Sequence, residues 1–442
     1  MNRNEEFADL LRELDGNVPE ITESLKKGNR RKVRKLFLYQ PFLGLAAVFV
    51  LFVLSVNLCA PVAYACSKVP LLKDLAKAVT FSRSLRDAVE NEYVQEMNLK
   101  QTKGDITAEV AYLIVDQKQV NVFYRFESKQ YDKLNAYCNV LDENGNQMMG
   151  HSVSSGGFGL PNEELRCATI DFYENDVPGV LCLQLKVFGD YESENRDFLE
   201  VFDFLLEFDP EFTAKGKVYT VNQTVELDGQ IITIESIEVY PTHARVNVAD
   251  APENTAWLKG LMFYMETEKR EVFTTAKNGV TAMGSADSLS MASFYAESAY
   301  FYDAKQLNLV ITGALWQEKG RERIKVDLVT GETDPLPDNV TFMGVERQSN
   351  GWLILRFKES FVQGEPMRST FGFQCYDVNE EEYSASIGLT TGDEELQDGE
   401  QGWYVRDYCL EEYAQKEIWL TTQYTSCWMT EEPITVTVNA LE

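Results

Sequence analysis

Histidine is nearly absent from this chain: its 442 residues hold only His151 and His243. Histidine-assisted serine or cysteine catalysis needs one of them beside a nucleophile and an orienting acid. His243 lies in PTHARV, a turn entering a strand, and His151 follows Gly150 in a polar loop; both read as turn or surface positions. No Cys-x-x-Cys pair occurs, so the ligand set of a structural zinc site is missing. No glycine cluster leads into a helix with a basic residue, which removes the phosphate-binding loop. Basic residues are outnumbered, 41 against 70 acidic, for a net charge of -29, which argues against a nucleic-acid partner. The carboxylates are so numerous that no pair stands out as an acid–base couple. DENGN at 142–146 has the composition of a calcium loop, but Gly145 is fourth instead of sixth and Val153 stands where the closing Glu belongs. It reads as a hairpin turn, and GDEELQDGEQG at 392–402 as a solvated loop. No catalytic, cofactor-binding or metal-ligating residue is assigned, and the chain reads as a non-enzyme. The eight cysteines fall as Cys59 and Cys66, then Cys138, Cys167 and Cys182, then Cys375, Cys409 and Cys427. Two odd groups do not make a disulfide framework.

What is present is a charge-free run. From Leu36 to Ser67, 32 residues carry no charge. About 20 apolar residues suffice to cross a bilayer as a helix, so residues 36–65 read as a transmembrane helix with the lipid bilayer as partner. Lys26, Lys27, Arg30, Arg31, Lys32, Arg34 and Lys35 precede the run, and only Lys68 and Lys73 follow it closely. The positive-inside rule then places residues 1–35 in the cytoplasm and the remainder outside, a single-pass protein of the cell membrane. Ala63-Tyr64-Ala65 also fits a signal-peptide cleavage site, but the first 25 residues carry seven acids and two bases, unlike a signal n-region. An uncleaved anchor is the preferred reading.

In the cytoplasmic part, Phe7, Leu10, Leu11 and Leu14 recur at i, i+3, i+4 and i+7, the stripe of a short amphipathic helix ended by Gly16. So short a helix is marginal alone and docks on a partner or on the membrane surface. Residues 66–104 read as a helical neck: Pro70 suits a first turn, and Leu71, Leu75, Leu85, Val89 and Tyr93 mark an apolar face up to Gly104.

From residue 105 the period becomes two. QVNVFYRFE and KLNAYCNVL alternate apolar and polar residues, and similar strands recur every 8 to 15 residues with turns between. This predicts a mainly β exterior of tandem, immunoglobulin-like antiparallel sandwiches over residues 105–212, 213–332 and 333–442. Each unit opens with a strand pair and closes with an edge-like pair, the second with RIKVDL and the third with ITVTVNAL. PEFTAKGK near 210 and TGETDPLPDN near 330 read as linkers.

The order of parts resembles a family of single-pass, anti-sigma-factor-like membrane proteins of Gram-positive bacteria, with an extracytoplasmic domain of unknown function. The carrying residues are LKKGNRRKVRK, the span ending in APVAYA, VPLLKDL, and EYVQEMNLKQTKGDITAEVAYLIVDQKQVNVFYRFES. The family's helix end, strand, turn with Asp and apolar strand fall here at Glu92–Asn98, Ile106–Val115, Asp116 and Val120–Phe126. VELDGQIITIESIEVYPTHARVNV looks like the start of the immunoglobulin-like domain that follows in such proteins. The resemblance implies a regulator whose cytoplasmic segment restrains a sigma factor and whose exterior senses an unknown ligand. The chain departs from better-understood anti-sigma proteins in lacking a His-x-x-x-Cys-x-x-Cys motif and in the shortness of its cytoplasmic part. The alternative is a membrane-anchored cell-envelope binding or adhesion protein whose tail is only an anchor.

Overall fold

The computed structural model describes residues 70–442, apart from 174, 190–197, 285–287, 363–368, 392–398 and 440–442. The apolar run 36–65, the stripe Phe7 to Leu14, the basic residues Lys26 to Lys35, Cys59, Cys66 and most of the acidic loop 392–402 lie outside the described residues. Among the described residues no helix is long and apolar enough to cross a membrane.

The architecture is mainly β. Among the described residues two α-helices, α1 (Pro70–Ala78) and α2 (Arg83–Glu90), precede 25 strands arranged as three antiparallel two-sheet sandwiches. In the first, β1 (Gln95–Lys103), β2 (Ile106–Val115), β3 (Gln119–Glu127), β6 (Arg166–Phe172) and β5 (His151–Ser155) form one sheet in the order β1-β2-β3-β6-β5. It faces the three-stranded sheet β4 (Asn135–Leu141), β7 (Val180–Phe188) and β8 (Glu200–Glu207). Alternation explains the core: Leu181, Leu183, Leu185 and Val187 point inward from β7, against Val110, Val122 and Ile170 of the other sheet. DENGN is the expected turn. Asp142 N–H donates to Asn146 O at 2.8 Å, and Asp142 Oδ1 accepts from the Asn144 and Asn146 amides.

The helical neck is corrected. Its last part is β1, paired with β2 through a two-residue turn in which Gly104 has φ +54. Gly104 was expected to end a helix; its left-handed backbone instead turns a hairpin. Tyr93 follows α2, so the helical reading carried on into QEMNLKQTK, where Met97 and Leu99 pack on the first core at period two. The helices are not a free stalk either. Leu75, Val79, Leu85 and Ala88 are buried against Ala111, Tyr112, Ile114 and Phe123, on the outer face of the first sheet. Full burial of each large aliphatic side chain contributes about 1.5–3 kcal/mol. This second covering is why ITAEVAYLIV is apolar on both faces.

The second and third sandwiches are interleaved. In the second, β9 (Lys217–Leu227), β10 (Gln230–Val239), β11 (Ala244–Asp250), β15 (Met291–Ala296) and β14 (Ala282–Gly284) face β12 (Ala256–Thr267), β13 (Val272–Phe273), β16 (Gln306–Glu318) and β25 (Ser426–Asn439). The third packs β17 (Arg323–Asp327), β24 (Glu417–Thr422), β20 (Phe371–Tyr376) and β21 (Glu382–Ser384) on β18 (Val340–Arg347), β19 (Leu353–Val362), β23 (Gln401–Leu410) and β22 (Ser386–Thr391). The boundaries 213–332 and 333–442 are therefore corrected. RIKVD joins the third sandwich by pairing with β24, and ITVTVN returns to the second by pairing with β16. Residues 323–422 form a sandwich inserted between two adjacent strands of another. The segment near 330 lies inside the third sandwich, whereas PEFTAKGK does connect β8 to β9.

A chain cut after Gln423 is expected to lose amide-exchange protection in β16, because Val436 and Val438 leave the second core. β19 should stay protected, because its partners β18 and β23 remain. Hydrogen-exchange mass spectrometry checks this, and Val436→Ala should cost the second sandwich about 2 kcal/mol. Retained protection of Leu309 and Ile311 in the shortened chain would contradict the assignment.

Candidate functional site: the joint of helices and sandwiches

The first turn of α2 holds no acid. Its exposed N–H groups and partial positive charge favour an anion, and one arrives from the second sandwich. Ser84 N–H donates to Glu297 Oε2 at 2.7 Å, Ser82 Oγ donates to the same oxygen at 3.1 Å, and Ser84 Oγ also donates to it. Ser82 is the N-cap, and its Oγ accepts from Leu85 N–H at 3.3 Å. The contact is reciprocated by Ser298 N–H, which donates to Ser84 Oγ at 2.7 Å. Arg83 anchors the same turn. Its guanidinium donates at 2.7 Å each to Val272 O, Glu271 Oε2 and Tyr302 Oη, and lies 4.4 Å from the centre of the Phe273 ring. α2 thus presents an apolar side to the first sandwich and a polar N-terminus to the second, while α1 packs on the first.

Beside them lies a closed polar layer between the two sandwiches. Asp116, in the β2–β3 turn, is fully buried. Its Oδ1 accepts from the Lys118 and Gln119 amides at 2.9 Å each, and its Oδ2 from Thr242 N–H at 3.0 Å and Thr242 Oγ1 at 2.6 Å. Thr242 Oγ1 also stands 2.9 Å from His243 Nδ1, and Arg245 Nε donates to His243 Nε2 at 3.0 Å. An imidazole whose Nε2 accepts from arginine must carry its proton on Nδ1 and be neutral. Burial, and then Arg245, push His243 well below the usual histidine range. The ring is stacked between Tyr240 and Tyr295, at 5.0 and 5.4 Å. Burial pushes Asp116 upward, while its four donors pull the other way.

Asp171 completes the layer. It accepts from Gln119 Nε2 at 2.7 Å and from Val280 N–H at 3.0 Å, and burial raises its carboxyl to about 6. Asn278 bridges the parts: its Nδ2 donates to Gln119 Oε1 at 2.7 Å, and its Oδ1, 2.9 Å from Ser82 Oγ, shares that hydroxyl's single proton with Glu297. Next to it, Gly279 has φ +77, and a Cβ there would stand 2.2 Å from Asp171 Oδ2. Only glycine lets the loop approach so closely.

Asp, Thr and His are brought together here, but not in a nucleophile's order. The hydroxyl donates to the carboxylate, and arginine occupies the imidazole nitrogen that a general base would use. His243 and Thr242 are fully buried, so the trio presents nothing to a substrate. The surface position expected for His243 is corrected: its turn is capped by another sandwich. His151 begins the edge strand β5, paired with Phe172 and outside the hydrogen bonds of this layer. Cys138, Cys167, Cys182, Cys375, Cys409 and Cys427 are free thiols. Among the described residues no group of three or more His, Cys, Asp or Glu is placed to hold a metal ion. Sequence reasoning placed Asp116 in a turn without giving it a partner, and missed Arg83, Asn278 and Glu297. The available signal was the polar run Asp116–Asn121 between two apolar strands.

Comparison with known proteins meets this geometry at two places. Residues 34–128 match a domain of unknown function (DUF4179), a family associated with anti-sigma-factor-like proteins. Residues 216–340 match a family of unknown function (DUF5643). The first match spans α1, α2 and β1–β3, and the second spans β9 to β17, so Ser84 and Glu297 fall in different families. No curated protein matches the chain. The crystal structure of the conserved domain protein from Bacillus anthracis is 14% identical with a TM-score of 0.40, covering 55% of this chain and 85% of that one.

Thr242→Val removes one donor from Asp116 and the partner of His243, and should cost about 1–3 kcal/mol in urea unfolding. Glu297→Ala should raise exchange in the first turn of α2 while Leu183 and Leu185 stay protected. Asp171 has a folded pKa of about 6, above the unfolded value near 3.9. Its contribution is therefore fully present below about pH 4 and is lost as pH rises through 6. The stability of wild type minus that of Asp171→Asn should fall between pH 4 and pH 7. A difference that rises instead would show that Asp171 is not held in this way.

Proposed function

We propose that the chain is a single-pass membrane regulator, anti-sigma-factor-like, in which residues 36–65 span the bilayer. Residues 1–35 face the cytoplasm, where Phe7, Leu10, Leu11 and Leu14 dock on a sigma factor. The sandwiches lie outside and receive an extracellular ligand. The carrying observation is the match of residues 34–128 to a domain family associated with anti-sigma-factor-like proteins. The joint supports the reading mechanically. α1 and α2 follow the apolar run almost directly and are tied to two sandwiches at once, so a change in how those sandwiches meet reaches the span. The role proposed is non-enzymatic, in keeping with a Thr–His–Asp trio that is closed and out of catalytic order. Two antiparallel sheets in each sandwich support the immunoglobulin-like description.

A second reading, envelope binding or adhesion, is favoured by one observation. Tyr137, Phe188, Phe158 and Phe198 cluster within 4.8–6.4 Å on the three-stranded sheet of the first sandwich, with Phe158 and Phe198 exposed.

Co-purification of the full chain with a sigma factor, compared with Leu10→Asp/Leu14→Asp, separates the two. The regulator loses its partner in the double variant, and an adhesin shows no partner to lose. Protease treatment of whole cells should leave a tag at Met1 intact, and its removal would overturn the proposed orientation.

A further inference from the structure

The edges of the first sandwich are treated unequally. At one side β1 lies beside β8, and β1 side chains occupy β8 backbone carbonyls. Gln95 Nε2 donates to Glu207 O at 2.9 Å, Gln101 Nε2 to Asp203 O at 2.6 Å, and Lys103 Nζ to Val201 O. This is a sealed edge of the kind that prevents strand addition.

At the other side the sheet ends at β5, which lies beside β4 and whose Ser155 side chain is hydrogen-bonded to Cys138. Tyr173 N–H donates to Gly150 O at 3.0 Å and Gly156 N–H to Cys167 O at 2.9 Å, bracketing the β5–β6 ladder. Hydrogen-bonded and non-bonded pairs alternate in an antiparallel ladder. Ser152 and Ser154 therefore turn their amides toward β6, and His151, Val153 and Ser155 turn theirs to the outer edge. Among the described residues these three outer amides and carbonyls have no hydrogen-bond partner. Glycines 156, 157 and 159 follow, so few side chains guard the approach.

A groove of about 550 Å³ opens at the C-terminal end of β5, bordered by Ser154 and Ser155. Ser154 to Gly157 form one wall, α1 and Phe81 the other, Cys167 and Thr169 the floor, and Lys277 to Gly279 of the second sandwich one end. Its lining holds Lys77, Arg125, Arg166 and Lys277 against Asp74, Glu163 and Glu164. Cations outnumber acids here, in a chain where acids prevail 70 to 41. Lys77 is paired with Glu164 at 3.0 Å, and Arg125 with Glu109 at 2.6 Å. Lys277 has no carboxylate partner among the described residues.

We propose that this edge accepts an extended peptide segment of a protein partner, which adds as a strand beside β5 and sets an acidic side chain against Lys277. Only an extended backbone satisfies a row of alternating amides and carbonyls, and the groove takes the side chains that project from one face of it. The inference names a partner class for the exterior and stands whether or not residues 1–35 bind a sigma factor.

Val153→Pro tests it. The Val153 N–H belongs to the open edge, so proline deletes a donor that the β5–β6 ladder does not use. A displayed library of random peptides about ten residues long is selected on the full chain in nanodiscs and, in parallel, on the Val153→Pro chain. Wild type should enrich alternating, acid-bearing peptides that bind about tenfold more weakly to Val153→Pro and to Lys277→Glu. Remaking those peptides with N-methyl groups at alternate residues should abolish binding. Enrichment no greater on wild type than on Val153→Pro, or binding that survives N-methylation, overturns the proposal. If Val153→Pro lowers the unfolding midpoint, Lys277→Glu, which lies outside β5, carries the comparison, and unchanged affinity in it is equally fatal.

Discussion

The capping of α2 by Glu297 is the constraint around which the first half of the molecule is arranged. A helix of eight residues contributes little on its own. It is held because its apolar side covers a sheet and its N-terminus receives a carboxylate from 213 residues further along the chain. Neither half suffices. Without the sheet, Leu85 and Ala88 return to water; without Glu297, the serine hydroxyls and amides of the first turn are stranded in a dry place. The helices therefore exist in this form only when both sandwiches are folded and in register.

The polar layer enforces that register. Two sandwiches meeting through apolar surfaces could slide over one another with modest loss. Here a slip would separate Asp116 from Thr242, and Arg245 from the Phe172 carbonyl that its guanidinium reaches at 2.9 Å. Breaking a buried charged contact by removing one side costs about 3–5 kcal/mol. The layer thus selects one arrangement, and the neutral histidine is part of the selection because only that tautomer satisfies threonine and arginine together.

Much of the β region was legible from period-two alternation, including β3, β7, β8 and the turn at Asp142. What alternation specifies is a face, and it leaves the neighbour open. RIKVD and ITVTVN each read correctly as strands, yet each joins the other sandwich, since Val326 and Val436 would be apolar and inward in either. β1 was lost for the opposite reason: QEMNLKQTK is too polar to announce itself beside a strong helical pattern, and its pairing comes from β2. The joint was illegible because its residues look like solvent-facing ones. Gln119 and Asn121 occupy the wet positions of β3, and they are buried where Asn278 of the second sandwich reaches Gln119. Matches to known families mark the two sides of the contact separately and do not disclose that they touch.

The insertion of one sandwich between two neighbouring strands of another bears on the order of synthesis. A ribosome delivers residues 323–422 as a closed unit while β16 still waits with a bare edge. For the time needed to translate about a hundred residues, at 5–20 per second, the second core lacks its bordering strand. During that interval the exposed ladder invites a wrong mate, and the capping of α2 rests on a half-built neighbour. Protection of nascent chains at this stage, as by a chaperone, then becomes a demand of the topology.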